Sequence, residues 1–391
     1  MSGRHSLCGG CKSKGRVLFF ENRRTPADCG FAPFTREEAL GATRASIRLS
    51  SCPSCGLIQN IDFDPRLIRF EPGYEVDLSH SPSFNDYQVS LAGRLIKEFG
   101  LLNKRILEIG CGGGAFLKLL CSEGANTGMG IDPTVPETGR QDTGKGTVEF
   151  VRKEFPALEC LEFAPDFICS LSVMEDFTDV SSFLSSIHDL ASTSGAPVYL
   201  EVFNGRGSLE RGEVFSIHFE QCNYFSLASL HNVVAMAGFE ITGAGHCYHG
   251  DQYIYVEARA MKGRESPPAA FSNDFIVNSL ADEFEKQLRN LHGDIKRWSK
   301  DGRNVVIWGS GGKGISLLNN LNIASWIECV VDINPNRQGR FIPGTGHRIV
   351  APVELKTIRP DIVIVTNRIY LSEIRESVGR LGIGEPEFVV A

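Results

Sequence analysis

Short apolar runs, glycine turns and amphipathic stretches follow one another along most of this chain. The clearest case is RILEI at 105–109, an apolar run of the length of one buried parallel strand. Gly110, Gly112, Gly113 and Gly114 follow at once, then an amphipathic helix from 115 to about 122, and a second strand at 128–131 closing on Asp132. Further strands are expected within 148–156, 165–176 and 196–204, with a helix over 180–190. The stretch 226–238 predicts a helix with Ser226 as N-cap and Gly238 as C-cap, followed by strands at 239–245 and 252–258. Between strand and strand, 134–146 reads as a polar loop.

The flanks have their own grammar. Strands are expected at 17–20 and 45–50, an aromatic, turn-rich linker or lid at 62–86, and an amphipathic helix at 87–99. Downstream, 261–274 with Pro267-Pro268 reads as a linker. A long helix over 275–300 carries Phe275, Leu280, Phe284, Leu288, Leu291, Ile295 and Trp298 at helical spacing. Asn304 opens a second strand–glycine–helix–strand unit ending in Asp332, and a strand at 360–367 with a helix at 370–381 completes a small sheet. The pattern is that of an α/β protein, and 391 residues are too many for one ordinary core.

Composition narrows the class. A hydrophobic fraction of 42% with 22% charged residues describes a globular chain. The net charge of −7 and the lack of a basic run give nucleic-acid binding no electrostatic support. No run approaches membrane-spanning length and the first residues lack the apolar core of a signal peptide, so a cytoplasmic location is expected. Twelve cysteines in that setting point to thiols and a metal, not disulfides.

The chemistry starts at the first glycine turn. Glycines after a strand let the backbone approach a ligand, and Asp132, ending the next strand, suits the two hydroxyls of a ribose. The spacing here is Glu108-x-Gly110-x-Gly112-x-Gly114. A carboxylate two residues before the first glycine would repel a dinucleotide pyrophosphate and suits a cationic, amino-bearing nucleoside, S-adenosylmethionine. Glu108, Gly110, Gly112, Gly114, Asp132 and Pro133 are therefore candidate cofactor residues, joined by Glu175 at the carboxyl edge of the strand within 165–176.

Two C-x2-C knuckles, Cys8/Cys11 and Cys52/Cys55, are separated by forty residues, 12 to 51. Each places two thiolates on one side of a tight turn, and two such turns complete a tetrahedral Zn2+ site. A redox pair would need only one knuckle. With four cysteines and no open position, the metal is expected to hold the fold. Cys29, between the knuckles, reads as a small side chain. His218, Glu220, Gln221, Asn223 and Tyr224 cluster ahead of the helix at 226–238, either as a capping network or as acid–base groups facing the methyl donor. His246 and His249 flank a loop and are expected at the surface.

Paired knuckles with CGLIQN after the second, the turn at 108–114, the segment EQCNYFSLASL at 220–230 and the terminal unit DINPNRQGRFIPGTG at 332–346 occur here in one order. The chain resembles the sugar C-methyltransferase family, which methylates nucleotide-linked deoxy-keto sugars, over nearly its whole length. The resemblance implies a class I Rossmann-like methyltransferase with a small N-terminal zinc-binding domain and a C-terminal Rossmann-like domain that helps hold the nucleotide end of the substrate. It implies a zinc-binding domain at 1–70, a methyltransferase domain at 71–262, a linker and connecting helix at 263–300, and a C-terminal domain at 301–391. In the family a segment similar to Tyr-His-Glu-His bears the proton-abstracting group; here those positions read His218-Phe219-Glu220-Gln221. Glu220 and Tyr224-Phe225-Ser226 match, and glutamine stands where the basic histidine is expected. A second tyrosine expected near Tyr74 is Val76 or Asp77, while Ser79, Ser81 and Ser83 are present. The expected activity is methyl transfer to a nucleotide-linked sugar, with His218 or Glu220 as base and Tyr224 nearby. The alternatives are a sugar O-methyltransferase, for which one general base suffices, and a non-catalytic member keeping the fold. The sequence leaves the oligomeric state open.

Overall fold

The computed structural model describes residues 7–74, 78–249, 251–261, 274–321 and 324–391. Most of the expected linker, and the Val76 and Asp77 positions, lie outside the described residues. The N-terminal segment holds β1 (Val17–Pro26), α1 (Arg36–Leu40), β2 (Arg44–Ser51) and β3 (Ile58–Asn60). Thr35 caps α1 in a reciprocal capping box with Glu38. The next helix, α2 (Pro82–Phe99), begins earlier than apolar periodicity alone suggests. Ser81 accepts the Phe84 N–H as N-cap and Pro82 occupies the first turn, where its missing N–H costs nothing.

The central unit follows the expected alternation. It runs β4 (Arg105–Ile109), α3 (Ala115–Gly124), β5 (Thr127–Ile131), β6 (Gly139–Asp142), β7 (Thr147–Val151), α4 (Leu158–Phe163), β8 (Phe167–Leu171), α5 (Val180–Ser194) and β9 (Val198–Phe203). Then come α6 (Gly205–Glu210), β10 (Asn223–Tyr224), α7 (Leu227–Met236), β11 (Phe239–Cys247) and β12 (Tyr253–Ala260). Eight of these strands form one sheet in the order β11-β12-β9-β8-β4-β5-β7-β6. The strands from β9 to β7 are parallel, and the outer ones antiparallel. The polar loop expected at 134–146 is corrected in part: Gly139–Asp142 pairs antiparallel with β7 as an edge strand. Its one-sided exposure left no apolar signal. Ser226 caps α7 as expected, whereas the C-cap is Ala237, with Gly238 next at φ +94°.

The C-terminal segment opens with α8 (Asp274–Lys300), 27 residues or about 40 Å. Leu280, Phe284, Leu291, Ile295 and Trp298 are buried along one face. There follow β13 (Val305–Trp308), α9 (Gly312–Asn320), β14 (Val330–Val331), β15 (Ile349–Val350), α10 (Leu355–Ile358), β16 (Ile362–Val365), α11 (Leu371–Leu381) and β17 (Glu387–Val390). The five strands form a parallel sheet in the order β15-β14-β13-β16-β17.

Packing crosses the boundaries that sequence position suggests. β10, from the central stretch, pairs with β3 and completes an N-terminal sheet ordered β1-β2-β3-β10. One apolar core takes residues from that sheet, from 209–224, from α8 and α9, and from the C-terminal sheet. A second takes Cys8, Cys52, Cys55 and Leu57 together with α5, α7 and one face of the central sheet. No helix among the described residues is long and apolar enough to cross a membrane.

Candidate active site and metal centre

The central sheet changes winding direction at β4, with β5 on one side and β8 on the other, and ligands bind outside the carboxyl ends of strands at such points. A cleft of about 1390 Å³ opens there and runs to the glycine turn of the C-terminal sheet. Gly110, with φ +74°, is required twice over: a Cβ there would lie 2.1 Å from the Val173 side chain. A Cβ on Gly114 would lie 2.2 Å from the Phe150 ring, which places that glycine behind the cleft wall. Gly112 has φ +52° and open space before it, so the backbone is bare toward the cleft.

Glu108, next to last in β4, is buried on the cleft wall, and its Oε2 has no hydrogen-bond partner among the described residues. Burial, then the neighbouring Asp132 charge, push its carboxyl up to about 8. An orphaned buried carboxylate is the group that a cationic ligand would satisfy. Asp132 is held ready: its Oδ2 accepts the Gly112 N–H at 2.9 Å, and Oδ1 accepts the Thr134 N–H and hydroxyl at 2.7 and 2.6 Å. Pro133 lines the cleft beside it. Glu175 also faces the cleft, accepts the Phe203 N–H, and is raised by burial to about 7. Asp176, beside it, is raised well above the usual carboxylate range by burial and by Glu175 and Glu220. The residues expected at the donor site are thus brought together, Gly114 excepted in that it supports from behind.

The loop 218–221 reaches the same cleft from the opposite wall, with His218, Glu220 and Gln221 all lining it. Glu220 is held by elements remote in sequence. Its Oε1 accepts the Cys29 N–H and, at 2.8 Å, the Gly30 N–H; its Oε2 accepts the Tyr74 hydroxyl at 3.2 Å. Burial raises its carboxyl to about 7, against the pull of those N–H donors. Gly30 is needed because a Cβ there would sit 2.0 Å from the Tyr74 ring. His218 is pushed down to about 4 by burial and by Lys313, and its Nδ1 is buried without a partner among the described residues. Tyr224 is fully buried and does not line the cleft; its hydroxyl donates to the His218 carbonyl at 3.4 Å. Sequence reasoning missed Tyr74 and the Cys29–Gly30 backbone as partners of Glu220. Asp28, whose carboxylate accepts the Phe31 N–H, and the glycine after Cys29 signal a tight turn, but nothing local points across 190 residues.

The C-terminal residues bring several cations to the cleft: Lys313 of α9, Arg337, Arg340 and Arg380 line it, with Asp332 and Glu373 among them. Lys313 pairs with Glu213 at 2.6 Å, and Asp332 accepts the Ser310 N–H and hydroxyl, repeating the turn–acid contact of the first glycine loop. His246 and His249 are exposed.

The four knuckle cysteines converge: their sulfurs all lie within 4.8 Å of one another, with Cys8–Cys55 at 3.6 Å and Cys11–Cys52 at 3.5 Å. Tetrahedral Zn2+ with bonds of about 2.3 Å sets sulfurs roughly 3.8 Å apart, so this donor set fits such an ion. The knuckles also connect to the active site. Gln59 accepts the Gly9 N–H at 2.8 Å and donates to Asn223 Oδ1 at 2.7 Å; Asn223 in turn donates to the Met174 and Phe177 carbonyls, both at 2.7 Å.

Residues 84–243 match the family described as methyltransferase domain, and residues 260–391 match the C-methyltransferase C-terminal domain. No curated protein sequence matches the chain. Among solved structures, the magnesium protoporphyrin IX methyltransferase of Synechocystis PCC 6803 with bound SAH is 18% identical, covers 46% of this chain and 84% of its own, with a TM-score of 0.36. A SAM-dependent methyltransferase from Aquifex aeolicus is 17% identical over 46% of this chain and 95% of its own (TM-score 0.34). The 1,6-didemethyltoxoflavin-N1-methyltransferase of Burkholderia thailandensis is 15% identical over 46% and 82% (TM-score 0.34). With its class I fold and these two matched domains, the chain is an S-adenosylmethionine-dependent methyltransferase with a C-methyltransferase C-terminal domain.

Proposed function

We propose that the chain methylates a carbon of a nucleotide-linked deoxy-keto sugar. The observation that carries this reading is the uneven charge of one continuous cleft: the carboxylates of Glu108, Asp132 and Glu175 line the first glycine turn, while the C-terminal residues that line the cleft include Arg337, Arg340, Arg380 and Lys313, the last paired with Glu213, against the acids Asp332 and Glu373. A cationic donor suits the first group and an anionic nucleotide the second. Bound S-adenosylmethionine supplies a methyl group on sulfonium sulfur, open to in-line displacement. Glu108 would take the positive charge, Asp132 the ribose hydroxyls, and Gly110 and Gly112 the close approach of the backbone. Glu220 lines the same cleft. With a carboxyl near 7 it takes the proton from the carbon beside the ketone, as a base matched to neutral pH. His218, neutral at that pH, offers its ring proton to the enolate oxygen. The enolate carbon would take the methyl group as its bond to sulfur breaks, the donor would leave as a neutral thioether, and the proton already held by Glu220 would return to solvent.

Gln221, standing where a basic histidine is expected, favours a second reading in which a sugar hydroxyl is methylated, since one carboxylate base is then enough. Incubation with 13C-methyl donor and a nucleotide-linked keto sugar, read by carbon–proton correlation NMR, separates the two. The first reading expects the methyl joined directly to a ring carbon; a methyl joined through oxygen overturns it. Zn2+ in the four-cysteine site is the proposed structural metal, checked by metal analysis of the purified protein.

A further inference from the structure

Arg337 belongs to the terminal unit at 332–346 and is only 4% exposed. A guanidinium that deep needs strong acceptors around it. Its Nη1 and Nη2 donate to the Cys29 carbonyl at 3.2 and 3.1 Å, Nη2 also donates to the Ser310 carbonyl at 2.9 Å, and Nε donates to the Ser310 hydroxyl at 2.8 Å. The Cys29 carbonyl and the Gly30 N–H are the two ends of one peptide group. That N–H is the one donated to Glu220 at 2.8 Å. A single peptide plane therefore lies between a buried cation and a buried carboxylate. A cation on the carbonyl oxygen draws electron density along the peptide and makes its N–H a stronger donor, and it also fixes the plane on which the Gly30 N–H bond to Glu220 depends.

We infer that Arg337 is a positioning residue for Glu220, acting through the Cys29–Gly30 peptide and tying the glycine turn of the C-terminal sheet to the proton-abstracting group. The inference rests on the reading of Glu220 as the base. The other groups that face Glu220 are Asp28 from the same turn, Asp176 from the Met174–Asp176 turn after β8, the Tyr74 hydroxyl and the Cys29 thiol. The two acids oppose ionisation of Glu220, so the guanidinium works against them. Ser310 completes the link: its N–H and hydroxyl donate to Asp332 while its hydroxyl accepts from Arg337. The C-terminal residues of the cleft and the base thus share one hydrogen-bonded path.

The test is the titration of Glu220 itself, read in full-length protein as the infrared carboxyl signal that disappears in E220Q. In R337Q the midpoint is expected to rise by roughly one pH unit, and the acid limb of the pH–rate profile to rise with it, which leaves about tenfold less ionised base on that limb. R337K keeps the charge without the planar fork, and a smaller rise is expected. Affinity for the methyl donor should stay within about twofold in both, because neither changes the first glycine loop. An unmoved midpoint in folded R337Q overturns the inference; if R337Q does not fold, an unmoved midpoint in R337K does so. Failure of the underlying reading is distinct: E220Q with full turnover would remove Glu220 as base whatever its midpoint does in R337Q.

Discussion

Two carboxylates on facing walls of the cleft set its pH behaviour. Glu108 is raised to about 8 by burial and by Asp132, so below that pH a cationic donor must displace a proton to bind. Donor affinity should therefore climb by up to about tenfold per pH unit between pH 6 and 8, and the climb should vanish in E108Q; titration calorimetry at several pH values checks both. In the proposed reaction Glu220, near 7, is the base, while His218, near 4, is neutral at neutral pH. E220Q should lose about 100-fold or more in turnover with donor affinity almost unchanged, measured by steady-state kinetics beside calorimetry. H218Q should fall less, since a glutamine amide still donates a hydrogen bond. The sequence marks Glu108 and Asp132 because their role follows from spacing within one strand–turn–helix unit. It marks Glu220 only as one of two possible bases, because the groups that set its ionisation, Cys29, Gly30 and Tyr74, come from a distant part of the chain.

Elements built from local signals are legible. β4, the first glycine turn, α3 and β5 occupy the expected positions because apolar runs, glycines and helical spacing all lie within a few residues of one another. Elements that exist only through a partner are not: β10 is two residues held by β3, and β6 is a polar edge strand held by β7. The glycine turn is also where a single change should do most harm. G110A adds a methyl 2.1 Å from Val173 at a backbone angle that favours glycine, so a loss of about 2 kcal/mol in stability and a weaker donor complex are expected. Adding V173A should relieve the clash but not the backbone strain, recovering only part of that stability; urea unfolding of the single and double variants tests this.

At the scale of the molecule, the sheets and cores draw on segments distant in sequence. The long amphipathic helix α8 is legible from its spacing, but not that its buried face joins the N-terminal sheet and the C-terminal sheet in one core. Nor does the sequence show that the knuckles seat against the central sheet and, through Gln59 and Asn223, fix the Met174–Phe177 turn. Stripping metal from a zinc-loaded preparation should therefore lower the melting temperature and turnover together, with both restored by Zn2+; turnover that survives chelation would limit the knuckles to a local role. Stability should also follow pH. Glu108, Glu175 and Glu220 have folded-state carboxyls raised above the usual 4.5, so the folded protein holds their protons more tightly than the unfolded chain does. Their contribution is full below about pH 4.5 and is lost as pH rises through 7 to 8, and calorimetric melting across that window should show the fall. The most direct test of the whole account is proton exchange. With the demethylated donor product bound and a nucleotide-linked keto sugar in D2O, the wild-type enzyme should wash deuterium into the position beside the ketone, and E220Q should not. Absence of exchange in the wild type, or equal exchange in E220Q, would contradict it.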